Sequence, residues 1–273
     1  MDLTALRGAG LAAALAFAAL SIWSYRRGRI GNGDLLLRLL VFVVPLLAVS
    51  LEPAVFTWVL DQFSFRKGAP RGRTLGATIV AVGPYTNLAL LEIAQSNSLS
   101  RQPIVVMGGW VQPPAPGLPQ WGPDMDFNVQ WDTRAAEVVA ATARLTLVTL
   151  PATLNAHLRR ADLPRLRAAG PLGQLLARQS EAHGQVHEME QLGREHPGLP
   201  DDLLNFQYDP VACAVALGWA GAAIEDARLR PRWQDGVLSF QPHPEGRSTR
   251  VVLEVDGAAF GETWLSAVEA ASS

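Results

Sequence analysis

The stretch T-I-V-A-V-G-P-Y-T-N-L-A-L, residues Thr78–Leu90, joins a short β-branched run to a Gly-Pro turn and then to a helical pattern. Such a run, ended by a turn signal, is typical of a buried strand. Two similar runs follow, P-I-V-V-M at Pro103–Met107, which ends at Gly108-Gly109, and L-T-L-V-T-L at Leu145–Leu150. Helical patterns cover Asn87–Gln95 and Thr133–Ala143. Strands that alternate with helices favour right-handed crossovers and a parallel sheet. We therefore predict an α/β fold with a parallel sheet and helices on both faces.

The rest of the chain continues the pattern less regularly. Helical periodicity predicts helices around Leu163–Arg167 and Leu172–Leu192, and another that starts near Asp209. The run Arg250–Val255 predicts a late strand. We assign the α/β domain to residues 74–273.

The first 62 residues differ in composition from everything after them. Apolar stretches run from Ala9 to Trp23 and from Leu35 to Leu60, and a membrane-spanning helix needs about 20 mainly apolar residues. We predict an apolar helical hairpin over residues 1–62 that contacts a membrane through residues 9–60, with a buried soluble helix pair as the alternative. Residues 63–73, where Gly, Pro and charge occur together, read as a linker.

Overall composition excludes several classes of function. The formal net charge of −2 gives no basic field for nucleic acid. The single cysteine, Cys213, excludes an internal disulfide framework and a zinc site with several cysteines. Because Cys213 lies in an apolar run, we expect a buried thiol.

The strand ends are the first candidates for a ligand site, because ligands bind beyond the carboxyl ends of the strands in open parallel sheets. Val82-Gly83 and Met107-Gly108-Gly109 lie at such ends. The long Pro-rich loop Trp110–Met125 follows the second of them. This loop fits either a functional segment or a rigid surface flap.

Four segments, in this order, resemble the inosine/uridine-type nucleoside hydrolases. They are Thr78–Leu90, Ile104–Gly109, D-F-N-V-Q-W-D-T-R-A-A-E at Asp126–Glu137, and Y-D-P-V-A-C-A-V at Tyr208–Val215. The resemblance covers residues 74–265 and implies a partial nucleoside-hydrolase-like sheet. It also implies hydrolysis of the N-glycosidic bond of a ribonucleoside to base and ribose, with calcium as cofactor.

The resemblance assigns two calcium ligands in this chain. One is the backbone carbonyl of Val82, at the strand end before G-P-Y-T-N, and the other is the carboxylate of Asp209. Two ligands cannot form a tight site by themselves, because hard cations take several oxygens at once. Asp209 also fits an N-cap ahead of Pro210, and both roles can hold together.

The resemblance also assigns substrate contacts. Asn128, Met107 and Asp126 match ribose-contacting positions, and Asp126 replaces a glutamate, which shortens its reach by one methylene. Tyr208 stands where many members have a histidine that helps the leaving base depart. A phenol can donate a proton there, although with an ordinary pKa near 10 it is a weaker acid.

One family feature has no counterpart in the sequence. The family begins with an aspartate-rich motif, roughly D-x-D-P-G-x-D-D, that supplies the general base and most calcium carboxylates. The acids before Leu60 are Asp2, Asp34 and Glu52. Whether the protein is an enzyme therefore stays open.

Three hypotheses about function remain. They are an active or impaired nucleoside hydrolase, a non-catalytic membrane-associated homologue that binds a nucleoside or a protein, and a truncated or fused gene product. The apolar stretches predict membrane association, and the lone cysteine and the resemblance favour a cytoplasmic C-terminal domain. Self-association into a homo-oligomer is left open.

Overall fold

The computed structural model describes residues 77–271. These belong to a compact unit, Thr74–Ser273. The predicted hairpin of residues 1–62, its membrane contact through residues 9–60 and the linker 63–73 lie outside the described residues. Among residues 77–271, no helix is long and apolar enough to cross a membrane.

Eight strands and ten α-helices make up the described part of the chain. The strands are β1 Ile79–Ala81, β2 Pro103–Met107, β3 Arg144–Val148, β4 His157–Arg159, β5 Leu203–Phe206, β6 Ala222–Gln234, β7 Val237–Pro242 and β8 Arg247–Val255. The helices are α1 Thr86–Ala94, α2 Ser98–Arg101, α3 Phe127–Gln130, α4 Thr133–Thr142, α5 Leu150–Thr153, α6 Leu163–Ala168, α7 Gly170–Val186, α8 Met189–Glu195, α9 Tyr208–Ala216 and α10 Gly257–Ala271. Short 3-10 turns cover Pro123–Met125 and Arg160–Asp162.

The main sheet has six strands in the order β1-β2-β3-β8-β6-β7. The four strands β1, β2, β3 and β8 run parallel, as predicted, with Ile104 of β2 opposite Ile79 and Leu145. The strands β6 and β7 are antiparallel additions that the sequence analysis missed. Their hairpin turns at Asp235-Gly236, where both residues have positive φ angles of 52° and 82°. Asp-Gly between two extended runs is a strong hairpin signal.

Both faces of the sheet are covered, which confirms the predicted layers. Ile104 and Val106 of β2 join a cluster with α1 and α4 on one face. Val105 and Met107, which alternate with them, pack with α9 and α10 on the other face. Successive strand residues point to opposite faces, so a continuous apolar run such as P-I-V-V-M is the pattern of a strand buried on both sides.

The first strand is less buried than predicted. Among the described strands, β1 lies at the sheet edge and pairs with β2 alone. Val80 is 36% exposed and Val82, just after the strand, is 41% exposed. The β-branched run indicated a strand correctly, but burial depends on neighbours, which a run of three or four residues does not specify.

The predicted helix over Leu172–Leu192 is in fact two helices. The helix α7 ends at Val186, and α8 begins at Met189. Between them Glu188 adopts a left-handed conformation with φ of 51°. A non-glycine residue in this region interrupts helical hydrogen bonding without any Gly or Pro signal in the sequence.

Candidate functional site

A cleft of about 600 Å³ opens at the carboxyl ends of β1 and β2, where the parallel sheet predicts it. All six residues that the resemblance singles out line this cleft: Val82, Met107, Asp126, Asn128, Tyr208 and Asp209. They come from four separate segments of the chain. The structure therefore brings them together, while the role of each stays a prediction.

Asp126 is buried and lines the cleft. Its carboxylate accepts hydrogen bonds from the backbone N–H of Gly109 at 2.5 Å and of Val129 at 3.2 Å. The second bond caps the start of α3. Burial raises the pKa of Asp126 to about 6, and the backbone donors oppose that rise. This side chain fastens the end of β2 to α3.

Asn128 is fixed by the strand that it faces. Its side-chain amide nitrogen donates to the carbonyl oxygen of Met107 at 3.0 Å and lies 3.5 Å from the Met107 sulfur. Within residues 77–271 the side-chain oxygen of Asn128 makes no hydrogen bond. That oxygen is thus able to accept a hydrogen bond from a ligand in the cleft.

Tyr208 and Asp209 line the cleft from the start of α9. The Tyr208 ring packs against Phe206, with ring centroids 5.5 Å apart. Burial raises the pKa of the Tyr208 hydroxyl well above its usual value, so the hydroxyl stays protonated at neutral pH. Asp209 is not an N-cap, because the cap position belongs to Gln207 and Asp209 lies in the first helical turn. Burial also raises the pKa of the Asp209 carboxyl.

The described residues do not complete a calcium site. Val82 and Asp209 both line the cleft, but calcium takes about six to eight oxygen ligands. Between residues 77 and 271, no three His, Cys, Asp or Glu side chains lie close enough to hold a metal ion. The two predicted ligands fit calcium in their chemistry, but two oxygens are too few to hold it.

Several cleft residues were not assigned from the sequence. Trp121, Met125, Phe127 and Leu150 line the cleft beside the predicted ones. Trp121 contacts Phe206 edge-on, with centroids 5.7 Å apart. The signal was the Pro-rich loop that contains Trp121 and Met125, and the structure shows that this loop forms part of the cleft wall.

Cys213 differs from its prediction. The thiol is exposed, because Cys213 lies on the outward side of α9 while Val211, Ala212 and Val215 face the sheet. An apolar run in a short helix does not by itself give the side of the helix that packs inward.

The fold and the cleft together define an α/β protein with a cleft at the carboxyl ends of its parallel strands, the place where open parallel sheets bind ligands. Residues 52–265 match the profile of the inosine-uridine preferring nucleoside hydrolase family. The chain belongs to this family, and the resemblance found in its motifs is confirmed.

Curated relatives agree at moderate identity. The pyrimidine-specific ribonucleoside hydrolase RihA of Klebsiella pneumoniae is 34% identical over 190 residues, which are 67% of this chain and 58% of that protein. RihA of Salmonella newport is 35% identical over 119 residues, which are 42% of this chain and 37% of that protein. The chain therefore spans between about a third and three-fifths of these relatives.

Solved structures share the fold. The purine-preferring ribonucleoside hydrolase of Gardnerella vaginalis superposes with a TM-score of 0.59 at 19% identity, over 71% of this chain and 61% of that one. A plant nucleoside hydrolase gives 0.56 at 20% identity, over 71% and 62%. At these identities the similarity establishes the fold alone.

Proposed function

We propose that the cleft binds a ribonucleoside and that the protein hydrolyses its N-glycosidic bond to free base and ribose. The observation that carries the proposal is the convergence of Asn128, Met107, Tyr208 and Asp209 in one cleft of a family member. The RihA relatives are described as pyrimidine-specific and the Gardnerella enzyme as purine-preferring. The relatives therefore support a ribonucleoside substrate without a choice of base.

The ribose would lie against Asn128 and Met107. The Asn128 oxygen can accept from a sugar hydroxyl, because its amide nitrogen is already bonded to the Met107 carbonyl. Asp126 serves this half of the site indirectly, because its carboxylate oxygens already accept backbone N–H groups. Its direct contact with ribose, expected from the resemblance, stays a prediction.

The base would lie toward Tyr208, Trp121 and Phe127. Cleavage of a glycosidic bond passes through an oxocarbenium-like transition state, and the leaving group gains negative charge. The Tyr208 hydroxyl stays protonated at neutral pH and can donate a hydrogen bond to the departing base. In this proposal the aromatic walls hold the base by stacking.

Calcium belongs to the proposal only as far as its ligands go. The carbonyl of Val82 and the carboxylate of Asp209 would supply two oxygens. The remaining ligands would come from outside residues 77–271 or from water.

A second candidate function is nucleoside binding without turnover. It is favoured by the small number of carboxylates in the described cleft, which are Asp126 and Asp209. Asp126 is engaged with the backbone and Asp209 is assigned to calcium, so the described cleft offers no further carboxylate to activate a water. The two candidates predict the same binding and differ in bond cleavage.

The test measures binding and cleavage on the same full-length samples. Isothermal titration with inosine, uridine and cytidine would be combined with an assay for released ribose. Asn128→Ala should weaken binding about 10-fold or more, because one buried hydrogen bond to the sugar is lost. Asn205→Ala, on β5 and outside the cleft lining, is the matched control and should bind normally.

The outcomes separate the candidates. Binding with ribose release supports the hydrolase, and binding without release supports the second candidate. Failure of all three nucleosides to bind folded protein would overturn both.

A further inference from the structure

Tyr85 is a buried tyrosine whose hydroxyl the proposed function does not use. It follows the Gly83-Pro84 turn and is fully buried. Its hydroxyl has no hydrogen-bond partner among residues 77–271. Burial of a hydroxyl without a hydrogen-bond partner is unfavourable, and phenylalanine would fill the same space without that cost. The hydroxyl therefore points to a role.

The carboxylate of Asp126 lies close to this hydroxyl, beside Gly108. A Cβ atom built on Gly108 would lie 2.9 Å from the Tyr85 hydroxyl oxygen and 3.2 Å from Oδ1 of Asp126. The two oxygens therefore lie within about 6 Å of each other. A Cβ atom at position 108 would crowd both oxygens, so glycine at this position lets them lie close to the backbone. One water molecule spans a gap of this size when the direct distance is too long for a hydrogen bond.

The two side chains also interact electrostatically. The pKa of Tyr85 is raised well above its usual value, first by burial and then by the negative charge of Asp126. Asp126 also lines the cleft and is itself only 2% exposed.

Other titratable groups lie on the elements that contact α3 and in the cleft lining. They are Asp124 on the preceding 3-10 turn, Asp132, Arg134 and Glu137 on the α4 side, and Tyr208 and Asp209 at the start of α9. Asp132 accepts from the Thr86 hydroxyl at 2.6 Å, and Glu137 accepts from the Trp233 ring N–H at 2.6 Å. The strand β7, which packs against α3, carries no ionisable side chain.

We propose that Tyr85 is a positioning residue for Asp126: its hydroxyl donates, through one bound water, to Oδ1 of the carboxylate. The bond would keep this carboxylate in the orientation that fastens Gly109 to α3, and so would maintain the shape of the cleft floor. The inference goes beyond the proposed function and does not depend on turnover.

The test follows the titration of Asp126 by carbon-13 NMR of the full-length protein labelled at aspartate carboxyl carbons. The Asp126 signal is assigned by its loss in Asp126→Asn. In Tyr85→Phe, the midpoint of this signal should rise by about one pH unit, because the carboxylate loses a donor. Tyr208→Phe removes a hydroxyl from the other cleft wall and is the matched control, in which the midpoint should stay unchanged. An unchanged midpoint in Tyr85→Phe would overturn the proposal.

A reciprocal measurement covers the case in which Tyr85→Phe fails to fold. In protein labelled at the tyrosine ring carbon that bears the hydroxyl, Asp126→Asn should shift the Tyr85 signal and leave Tyr208 in place. No shift at Tyr85 would also contradict the proposal. Neither readout requires hydrolysis, so an inactive protein can pass this test and an active one can fail it.

Discussion

Gly108, which follows the cleft residue Met107, has little room for a side chain. Its φ of 131° disfavours any L-residue, and a Cβ atom there would meet the Tyr85 hydroxyl at 2.9 Å. We expect Gly108→Ala to lower the free energy of unfolding by about 2–4 kcal/mol, from backbone strain together with overpacking.

Gly83 provides a matched control at the end of the neighbouring strand. A Cβ atom there would meet nothing within 4 Å, and its φ is not in the left-handed region. Gly83→Ala should change stability by less than about 0.5 kcal/mol in urea unfolding. Equal losses in the two variants would contradict the packing at Gly108.

Asp126 should make stability depend on pH in a particular window. Burial raises its pKa to about 6 in the folded protein, against an ordinary value of 3.8. The folded state therefore binds the Asp126 proton more tightly than the unfolded state does. The stabilisation of the folded state by this proton is fully present below about pH 4 and is lost as the pH rises through about 6. The loss amounts to about 3 kcal/mol at most.

Urea unfolding at several pH values would measure this contribution, and Asp126→Asn should flatten the slope between about pH 4 and 6. If Asp126→Asn and the unmodified protein show the same slope, Asp126 is not a buried carboxyl that ionises in this pH range.

If the proposed hydrolysis holds, the loss of rate on removal of the Tyr208 hydroxyl should depend on the leaving group. Tyr208→Phe removes the proton donor, so cleavage of natural nucleosides should slow by about 10²-fold or more. A nitrophenyl riboside, whose leaving group departs without a proton, should be cleaved at nearly the rate of the unmodified protein. Equal slowing with both substrates would assign Tyr208 to binding or packing instead.

At the scale of elements, Gln130 joins the cleft segment to the antiparallel hairpin. Its amide nitrogen donates to Pro123 O at 2.8 Å and Leu238 O at 2.7 Å, and its oxygen accepts from Leu238 N–H at 3.1 Å. Gln130→Ala should lower the free energy of unfolding by about 1–3 kcal/mol, because the backbone groups that it bonds lose their partners. Limited proteolysis should then cut within Trp110–Met125 sooner.

Gln174 is the control for this change, since it is exposed and makes one long bond, at 3.5 Å, to Arg167 O. Gln174→Ala should leave both stability and proteolysis unchanged. If Gln130→Ala also changes neither, the loop is held in place by other contacts.

Elements with a strong local pattern were predictable. The strand P-I-V-V-M and the helix Thr86–Ala94 appear within one residue of their predicted bounds, because apolar runs and Gly-Pro turns act locally. The hairpin of β6 and β7 was not predicted. Its strand β6 alternates Ala227, Leu229, Pro231 and Trp233 with charged or amide residues ahead of Asp235-Gly236, so a local strand and hairpin signal was present there.

At the scale of the whole molecule, the position of the cleft followed from topology, since parallel strands bring their carboxyl ends to one edge. The convergence of the D-F-N and Y-D-P segments came from the family resemblance, because no local pattern links Asn128 with Tyr208. The backbone bonds of Asp126 could not be read from the sequence. They depend on the left-handed path at Gly108-Gly109, which only the folded chain specifies.

The most direct test of the account is cleavage of inosine, uridine and cytidine by the full-length chain in ¹⁸O-labelled water, with added calcium. Mass spectrometry would follow both products. We predict equal amounts of free base and ribose, with the label in the ribose, because water attacks the sugar carbon as the base departs. Recovery of all three nucleosides intact, by folded protein that binds them, would contradict the hydrolase and leave nucleoside binding as the function.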